Sequence, residues 1–206
     1  AARDKPLVLF FVSALEFAFE HDKSVIVEKF IEGLEYRFLL IDEKVVAVLH
    51  REPANVVGDG RHTIYELVKA KNEKPRNYKI TTGYVIQTGP TEQSVLKKQG
   101  LNFSSIPKKN QKIYLRENSN VHTGGDPIDF TDDIPAFYKK IAVRAAKAVE
   151  AKVCGIDMII SNLKSKAADN YTIIEANFNP AMQMHDFPLK GKNRHVENAV
   201  LDLLGF

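Results

Sequence analysis

The stretch TIIEANFNP, residues 172–180, begins like a buried strand and then places a carboxylate and a carboxamide where more apolar residues are expected. Because side chains alternate between the two faces of a strand, Glu175 and Asn177 project from the same side. An acid and an amide on one face indicate either an oxygen-lined metal site or a cap at the end of the strand.

Asp157, in the apolar stretch GIDMII, offers a third oxygen ligand. It lies 18 positions before Glu175. If the two strands are neighbours, Asp157, Glu175 and Asn177 form an all-oxygen cluster, and such hard ligands suit Mg²⁺. Asp157 could instead be a lone buried acid satisfied by backbone amides. An unpaired buried carboxylate is costly, so the convergence of three polar groups favours a cation, although spacing alone leaves both interpretations open.

The elements that must position these groups are strands and helices in mixed order. Apolar runs rich in Val, Ile and Phe predict strands at residues 7–12, 25–31, 36–41, 45–50, 112–116, 153–160 and 171–178. Helical spacing predicts a long helix after Asp132 or Asp133 as the cap, with Pro135 in its first turn. A capping box at Thr63 starts another helix, and shorter helices fit residues 13–20, 92–99 and 196–204. Strict βα alternation is absent, which favours an α+β architecture.

Composition limits the function classes. The 206 residues are 44% hydrophobic and 27% charged, which is typical of a soluble globular protein, and no apolar run reaches membrane-spanning length. We therefore expect a cytoplasmic protein without a membrane partner. The single cysteine, Cys154, agrees with a reducing compartment and is expected to be a core residue. A net charge of +3 gives no support for nucleic-acid binding.

Two polar stretches are expected to be loops. Residues 72–90 contain Pro, Asn, Thr and Gly around a short apolar segment and predict a surface loop or flap. The basic stretch KGKNRH, residues 190–195, predicts a solvated loop before the last helix.

Several long segments resemble a known family. GIDMII, IIEANFNP and VIVEKFIEGLEYRF are similar to the ATP-grasp superfamily of carboxylate-amine ligases. VLHREPANVVGDGRHTIYELV and YLRENSNVHTGGDPIDFTD resemble the C-terminal module of bifunctional glutamate-cysteine ligase/glutathione synthetase. These matches run from about Ser13 to the C-terminus, and cyanophycin synthetase is the next most similar family.

The resemblance implies an ATP-grasp fold, with antiparallel or mixed sheets, packed helices and a nucleotide cleft between two lobes. Residues 1–30 would be the remnant of an incomplete N-terminal lid lobe, and residues 31–206 the C-terminal lobe. The implied activity is ATP- and Mg²⁺-dependent formation of glutathione from γ-glutamylcysteine and glycine through an acyl phosphate. A glutamate-cysteine ligase domain is expected in the same polypeptide, and an oligomer remains open.

The resemblance also implies roles for individual residues. Asp157, Glu175 and Asn177 match the magnesium ligands; the glutamate would bridge two ions, and Mn²⁺ could substitute. The adenine hinge corresponds to Glu28, Lys29, Phe30 and Ile31, and Glu35 matches the acid that holds the ribose hydroxyls. The candidates for gripping phosphate or the acyl intermediate are Arg51, Arg116, Asn118 and Asn120, and Gly124 and Gly125 would let backbone amides approach an anion.

The sequence departs from the family near its N-terminus. Phe10 and Phe11, in KPLVLFFVSALEF, occupy the positions of a phosphate-binding Lys-Pro pair, and the glycine-rich loop that should follow is missing. Either a loop is omitted from the chain, which the retained metal set favours, or catalysis has been lost. The missing lysine and loop leave a nucleotide-binding pseudoligase open as an alternative, and the similarity to cyanophycin synthetase leaves open a ligase of that kind.

Overall fold

The computed structural model describes residues 5–27, 29, 31–73 and 85–206. The chain divides into two compact units, Ala1–Ile31 and Glu32–Phe206. No helix in the described ranges is both long and apolar enough to cross a membrane.

The described residues of the first unit form one helix, α1 (Lys5–Phe19), followed by irregular backbone. The strand expected at residues 7–12 is therefore wrong. Its apolar run continues to Phe19 without Gly or Pro, and a short apolar run does not by itself distinguish a strand from a helix. The strand expected at residues 25–31 is also wrong for those of its residues that the structure describes.

The second unit is built on a five-stranded antiparallel sheet, whose strands are β1 (Leu34–Ile41), β2 (Lys44–Glu52), β5 (Asp126–Asp129), β6 (Val153–Ile160) and β7 (Tyr171–Asn177). Their order across the sheet is β5-β2-β1-β6-β7. A tight hairpin joins β1 to β2 through Asp42 and Glu43, which both have positive φ. The sheet and the helices around it confirm the α+β class.

One face of this sheet packs on helix α4 (Ala136–Ala148), and their contact forms the main hydrophobic core. Tyr36 and Phe38 of β1 meet Tyr138 of α4 in this core, and Cys154 is fully buried there, as predicted. Burial raises the pKa of the Cys154 thiol, so it stays protonated at neutral pH.

The start of α4 differs from the prediction. Its N-cap is Pro135, which has no side-chain capping bond, so neither Asp132 nor Asp133 caps the helix. Asp132 is instead bound by Lys192 and Arg194 from the basic loop at residues 190–195. That loop is exposed as expected, except that the Arg194 side chain is only 15% exposed.

A smaller layer holds strands β3 (Asn55–Val57) and β4 (Lys112–Tyr114) with helices α2 (Ile64–Glu73) and α3 (Pro90–Lys98) around a core of their own. The capping box at Thr63 is confirmed, because Glu66 accepts from the Thr63 amide at 2.8 Å and its own amide donates to the Thr63 hydroxyl at 3.3 Å. Residues 74–84 of the expected loop lie outside the described residues.

The second face of the large sheet carries α5 (Gln183–Asp186) and α6 (Val196–Leu204). Met184 packs on Leu49 of β2, and Val196 packs on Leu39 of β1. The polar residues described below lie on this second face of the sheet.

Candidate active site

Charged side chains from four adjacent strands, β2, β1, β6 and β7, meet on the second face of the sheet. Glu35 and Arg37 are two positions apart on β1 and therefore share a face. Arg37 is opposite Asp157 of β6, and Asp157 is in turn opposite Glu175 of β7. Arg51 reaches the same place from β2. We call Glu35, Arg37, Arg51, Asp157 and Glu175 the charged cluster.

Asp157 is the centre of the cluster and is only 1% exposed. Arg37 grips its carboxylate with two parallel bonds, from Nε to Oδ1 at 2.6 Å and from Nη2 to Oδ2 at 2.5 Å. Arg51 adds a third bond, from Nη2 to Oδ2 at 2.7 Å. Two guanidinium groups therefore satisfy a buried carboxylate that would otherwise be costly. The burial of Asp157 is thus explained by the two arginines, and it requires neither bonds from backbone amides nor a metal ion.

Glu35 is held from two sides. Its carboxylate forms an ion pair with Arg51 and accepts a hydrogen bond from the Ser119 hydroxyl. Arg51 therefore bridges Glu35 and Asp157. Its Nε is buried and has no hydrogen-bond partner among the described residues, which leaves one donor of this guanidinium unused.

Glu175 and Asn177 lie together as the strand alternation predicted. Asn177 donates from Nδ2 to Oε1 of Glu175 at 2.9 Å, and Arg37 Nη2 lies 3.5 Å from the same oxygen. Unlike Asp157, Glu175 is open to solvent, with 54% of its side chain exposed. β6 and β7 are neighbours, so the condition for an all-oxygen group of Asp157, Glu175 and Asn177 is met.

This group fits a magnesium ion in its donor chemistry. Glu175 offers an exposed carboxylate, and the group as a whole has the oxygen donors that Mg²⁺ prefers. No group of three or more His, Cys, Asp or Glu residues that could hold a metal is found in the described part of the chain, and the predicted set has only two acids. The cluster combines three carboxylates with two guanidinium groups, so one net negative charge is left to attract a cation.

Arg116 and Asn120, the other predicted catalytic residues, lie in the segment between β4 and β5. Their hydrogen bonds are to residues outside the charged cluster. Arg116 donates from Nε to Oε1 of Glu92 in α3 at 2.5 Å. Asn120 caps a short 3-10 turn by accepting from the His122 amide at 2.9 Å. Within the described ranges neither side chain touches the charged cluster, but Ser119, between them, does.

Gly124 and Gly125, which follow this turn, have a structural role. The Gly124 amide donates to the Val121 carbonyl at 3.0 Å and the Gly125 amide to the Asn120 carbonyl at 3.3 Å. Both amides are therefore used inside the turn, which is contrary to the expectation that they face an anion. Gly124 has φ +95, and a Cβ there would lie 2.6 Å from Cγ1 of Ile86.

We expect Gly124→Ala to lower the free energy of unfolding by clearly more than the about 1–2 kcal/mol that left-handed backbone alone costs a residue with a Cβ. The additional loss comes from the clash with Ile86. Gly100→Ala is the matched control, because Gly100 has φ +71 but a Cβ there meets nothing within 4 Å. Chemical denaturation of both variants measures the difference, and equal losses would contradict the clash.

The predicted adenine hinge is described only in part. Glu28 and Phe30 lie outside the described residues. Lys29 is exposed and Ile31 is partly buried, and both belong to the first unit. Phe11, one of the two residues at the expected Lys-Pro positions, is 48% exposed on α1, and that segment is a helix instead of the expected strand.

His185 of α5 is fully buried beside the cluster, and its two ring nitrogens have no hydrogen-bond partner in the part of the chain that the structure describes. Burial lowers the pKa of His185 to about 3; the charges of Arg37 and Arg51 act in the same direction, and those of Asp129 and Asp157 oppose it. The imidazole is therefore neutral at physiological pH.

Acidification below pH 6.5 is expected to destabilise the protein through His185. The unfolded chain takes up a proton near pH 6.5 while the folded chain does not, so stability falls as the pH drops towards 3, by up to about 1.4 kcal/mol per pH unit. His185→Phe should flatten this slope between pH 6.5 and 5, as measured by urea denaturation. His50, whose pKa is also lowered by burial, leaves a residual slope of the same sign. An unchanged slope in the variant would contradict the assignment.

Sequence reasoning missed Arg37, Ser119 and Glu92. Only Arg37 left a signal, because an arginine inside the apolar stretch YRFLLI needs an acid partner if the strand is buried. The other two have ordinary surroundings in the sequence, and their partners become apparent only in the folded chain.

Comparison with known proteins agrees with this architecture. Residues 105–193 match the RimK-like ATP-grasp domain. The chain is 54% identical over 195 residues to the glutathione biosynthesis bifunctional protein GshAB of Clostridium perfringens, which covers 93% of this chain and 25% of that protein. It is 50% identical over 201 residues to the protein of the same name from Desulfotalea psychrophila, covering 96% of this chain and 26% of that protein.

A solved structure gives the same result. The crystal structure of a bifunctional glutathione synthetase from Pasteurella multocida superimposes with a TM-score of 0.74 at 47% identity, over 95% of this chain and 28% of that one. The chain thus has the ATP-grasp fold, which confirms the fold class, and it spans about a quarter of the length of the relatives it matches.

Proposed function

We propose, from the ATP-grasp fold of this chain, that it is part of an ATP-dependent carboxylate-amine ligase that joins γ-glutamylcysteine to glycine and so forms glutathione. The observation that carries the proposal is the charged cluster, in a chain about half of whose residues are identical to proteins named for glutathione biosynthesis. The thiol in this reaction is that of the substrate and not of the protein, which agrees with a chain whose only cysteine is buried in the core.

The reaction has two steps. The carboxylate oxygen of γ-glutamylcysteine attacks the terminal phosphorus of ATP, which forms an acyl phosphate and ADP. The amine of glycine then attacks the acyl carbon; the C–N bond forms, phosphate leaves with the C–O bond, and the amine loses a proton. Negative charge moves along this path at each step, so positioned cations supply much of the catalysis.

Arg51 is suited to stabilise the negative charge that develops during the reaction. It has an unused buried Nε donor, and Glu35 and Asp157 fix its guanidinium in place. A group oriented in advance needs little rearrangement when a phosphoryl oxygen arrives beside it. Arg37 orients the carboxylate of Asp157 with its two hydrogen bonds, and Glu35 remains our candidate for the ribose hydroxyls.

Magnesium would be held by Asp157, Glu175 and Asn177. When bound, it supplies charge neutralisation of the triphosphate. Glu175 is the most accessible of the three and would provide the bridging carboxylate for two ions, with Mn²⁺ able to replace Mg²⁺. Asp157 would contribute an oxygen only where Arg37 or Arg51 yields one of its contacts.

The remaining parts of the proposal concern the whole polypeptide. Because the relatives are about four times as long as this chain, we propose a further domain in the same polypeptide, a glutamate-cysteine ligase that makes the γ-glutamylcysteine. Residues 1–30 are assigned to the lid lobe and residues 31–206 to the C-terminal lobe, and a cytoplasmic location suits a reduced thiol substrate.

The test uses the full-length protein that contains this chain. With ATP, Mg²⁺ and γ-glutamylcysteine, phosphate release is expected to depend on added glycine. Release that depends on arginine and an aspartyl peptide would indicate a cyanophycin synthetase-like ligase. ATP binding without release under any of these conditions would identify a pseudoligase and overturn the proposal.

A further inference from the structure

Glu92, in the first turn of α3, is 1% exposed, although it carries a charge. Its two carboxylate oxygens have different partners. Oε2 accepts from the Gly89 amide at 3.0 Å, which caps α3, and Oε1 accepts from Nε of Arg116 at 2.5 Å. The carboxylate thus connects a helix end to an arginine on another segment.

The backbone on either side of this contact is firmly placed. Leu96 packs α3 into the core of the small layer, and Leu115, next to Arg116, is fully buried in the same core. The Leu115 amide also donates to the Ala54 carbonyl at 2.7 Å. Glu92 therefore holds an arginine whose Cα is already fixed, and it sets the direction of the guanidinium.

The far side of Arg116 remains usable. Glu92 occupies only Nε, and the side chain is 18% exposed, so a second ligand can reach the two terminal nitrogens. Three residues further on, the Ser119 hydroxyl binds Glu35 of the charged cluster. Three residues of chain span at most about 10 Å, which puts Arg116 within reach of a phosphate or carboxylate at the cluster.

We propose that Glu92 is a positioning residue that holds Arg116 ready to bind the phosphoryl or acyl-phosphate oxygens of the substrate. This inference rests on the proposed function. Glu92 itself does not touch substrate, and it acts by ordering the guanidinium and by balancing its charge in a mostly buried place.

The test is Glu92→Gln in the full-length protein. A glutamine at this position can still accept from the Gly89 amide and keep α3 capped, but its amide group cannot accept from Arg116 if its oxygen serves the cap. The expected result is an about tenfold fall in kcat for glycine-dependent phosphate release, with little change in KM, because the contact matters most in the transition state. The thermal midpoint should fall below that of Glu66→Gln, because Arg116 loses its counter-charge in a mostly buried place, so kcat is compared at a temperature where both variants are fully folded.

Glu66→Gln is the matched control, since Glu66 closes the capping box of α2, is exposed, and contacts no arginine in the described ranges. Its kcat should equal that of the wild type. Adding Arg116→Gln to Glu92→Gln should cost no more than Arg116→Gln alone, because Glu92 acts through Arg116.

The two proposals fail in distinguishable ways. A wild-type protein without glycine-dependent phosphate release would overturn the proposed function. An active wild type whose Glu92→Gln and Glu66→Gln variants share the same kcat would overturn the positioning role of Glu92 alone, and so would additive losses in the double variant.

Discussion

Arg37→Met is expected to lower the free energy of unfolding by about 3 kcal/mol, which would make it one of the most destabilising single changes in the chain. Arg37 is 7% exposed and donates twice to Asp157, which is 1% exposed. Removing one partner of a buried pair leaves the other charge uncompensated, and this costs roughly 3–5 kcal/mol. Because Arg51 still donates to Asp157, we place the loss at the lower end of that range.

Lys147→Met is the matched control, because Lys147 forms an ion pair with Glu43 at 2.6 Å in which both side chains are about half exposed. Exposed pairs of this kind contribute at most about 1 kcal/mol, so this variant should unfold close to the wild type. Thermal denaturation of both proteins at pH 7 gives the comparison. A small and equal shift for the two variants would show that Asp157 is not stabilised chiefly by Arg37.

The sequence predicted the central strands well because their patterns were strong. β1, β2, β6 and β7 were each expected within a few residues, and the alternation of side chains on β7 correctly put Glu175 and Asn177 on one face. Because β6 and β7 are neighbours in the sheet, Asp157 lies beside Glu175 and Asn177 without any further assumption. Local periodicity was sufficient here since both strands are long and apolar.

Other parts of the fold depended on partners that are distant in the sequence. Asp132 was expected to cap α4, but Lys192 and Arg194, some 60 residues later, bind its carboxylate. Arg37 and Asp157 are separated by 120 residues, so no local pattern could show that the predicted oxygen group would contain a guanidinium. The Glu92–Arg116 pair could not be read from the sequence for the same reason.

The first unit shows a different limit. The apolar run LVLFFV led to the predicted strand at residues 7–12, and the family resemblance implies a phosphate-binding strand at the same place. The local residues instead continue as a helix to Phe19. A resemblance transfers an architecture only where the residues that build it are retained, and Phe10 and Phe11 already signalled that they are not.

Asp157→Asn is expected to reduce glycine-dependent phosphate release by about 10²–10³-fold, a loss comparable to that for removing one preorganised electrostatic group from an active site. The change removes the negative charge that both guanidinium groups share and one of the two carboxylates assigned to the metal. Asparagine keeps the size and one acceptor oxygen, but it leaves the buried guanidinium of Arg37 without its counter-charge, so the free energy of unfolding should fall as well and activity is measured at a temperature where the variant is folded.

A second readout separates the metal assignment from catalysis. Electron paramagnetic resonance of free Mn²⁺, titrated with the full-length protein and ATP, should show weaker Mn²⁺ binding in Asp157→Asn than in the wild type. Asp42→Asn is the matched control: Asp42 is exposed, pairs only weakly with Lys152 at 3.3 Å, and has φ +47, which asparagine tolerates. Unchanged Mn²⁺ binding in Asp157→Asn, with activity lost, would mean that Asp157 serves the arginines and not the metal. The metal would then be left to Glu175 and Asn177, the more exposed pair.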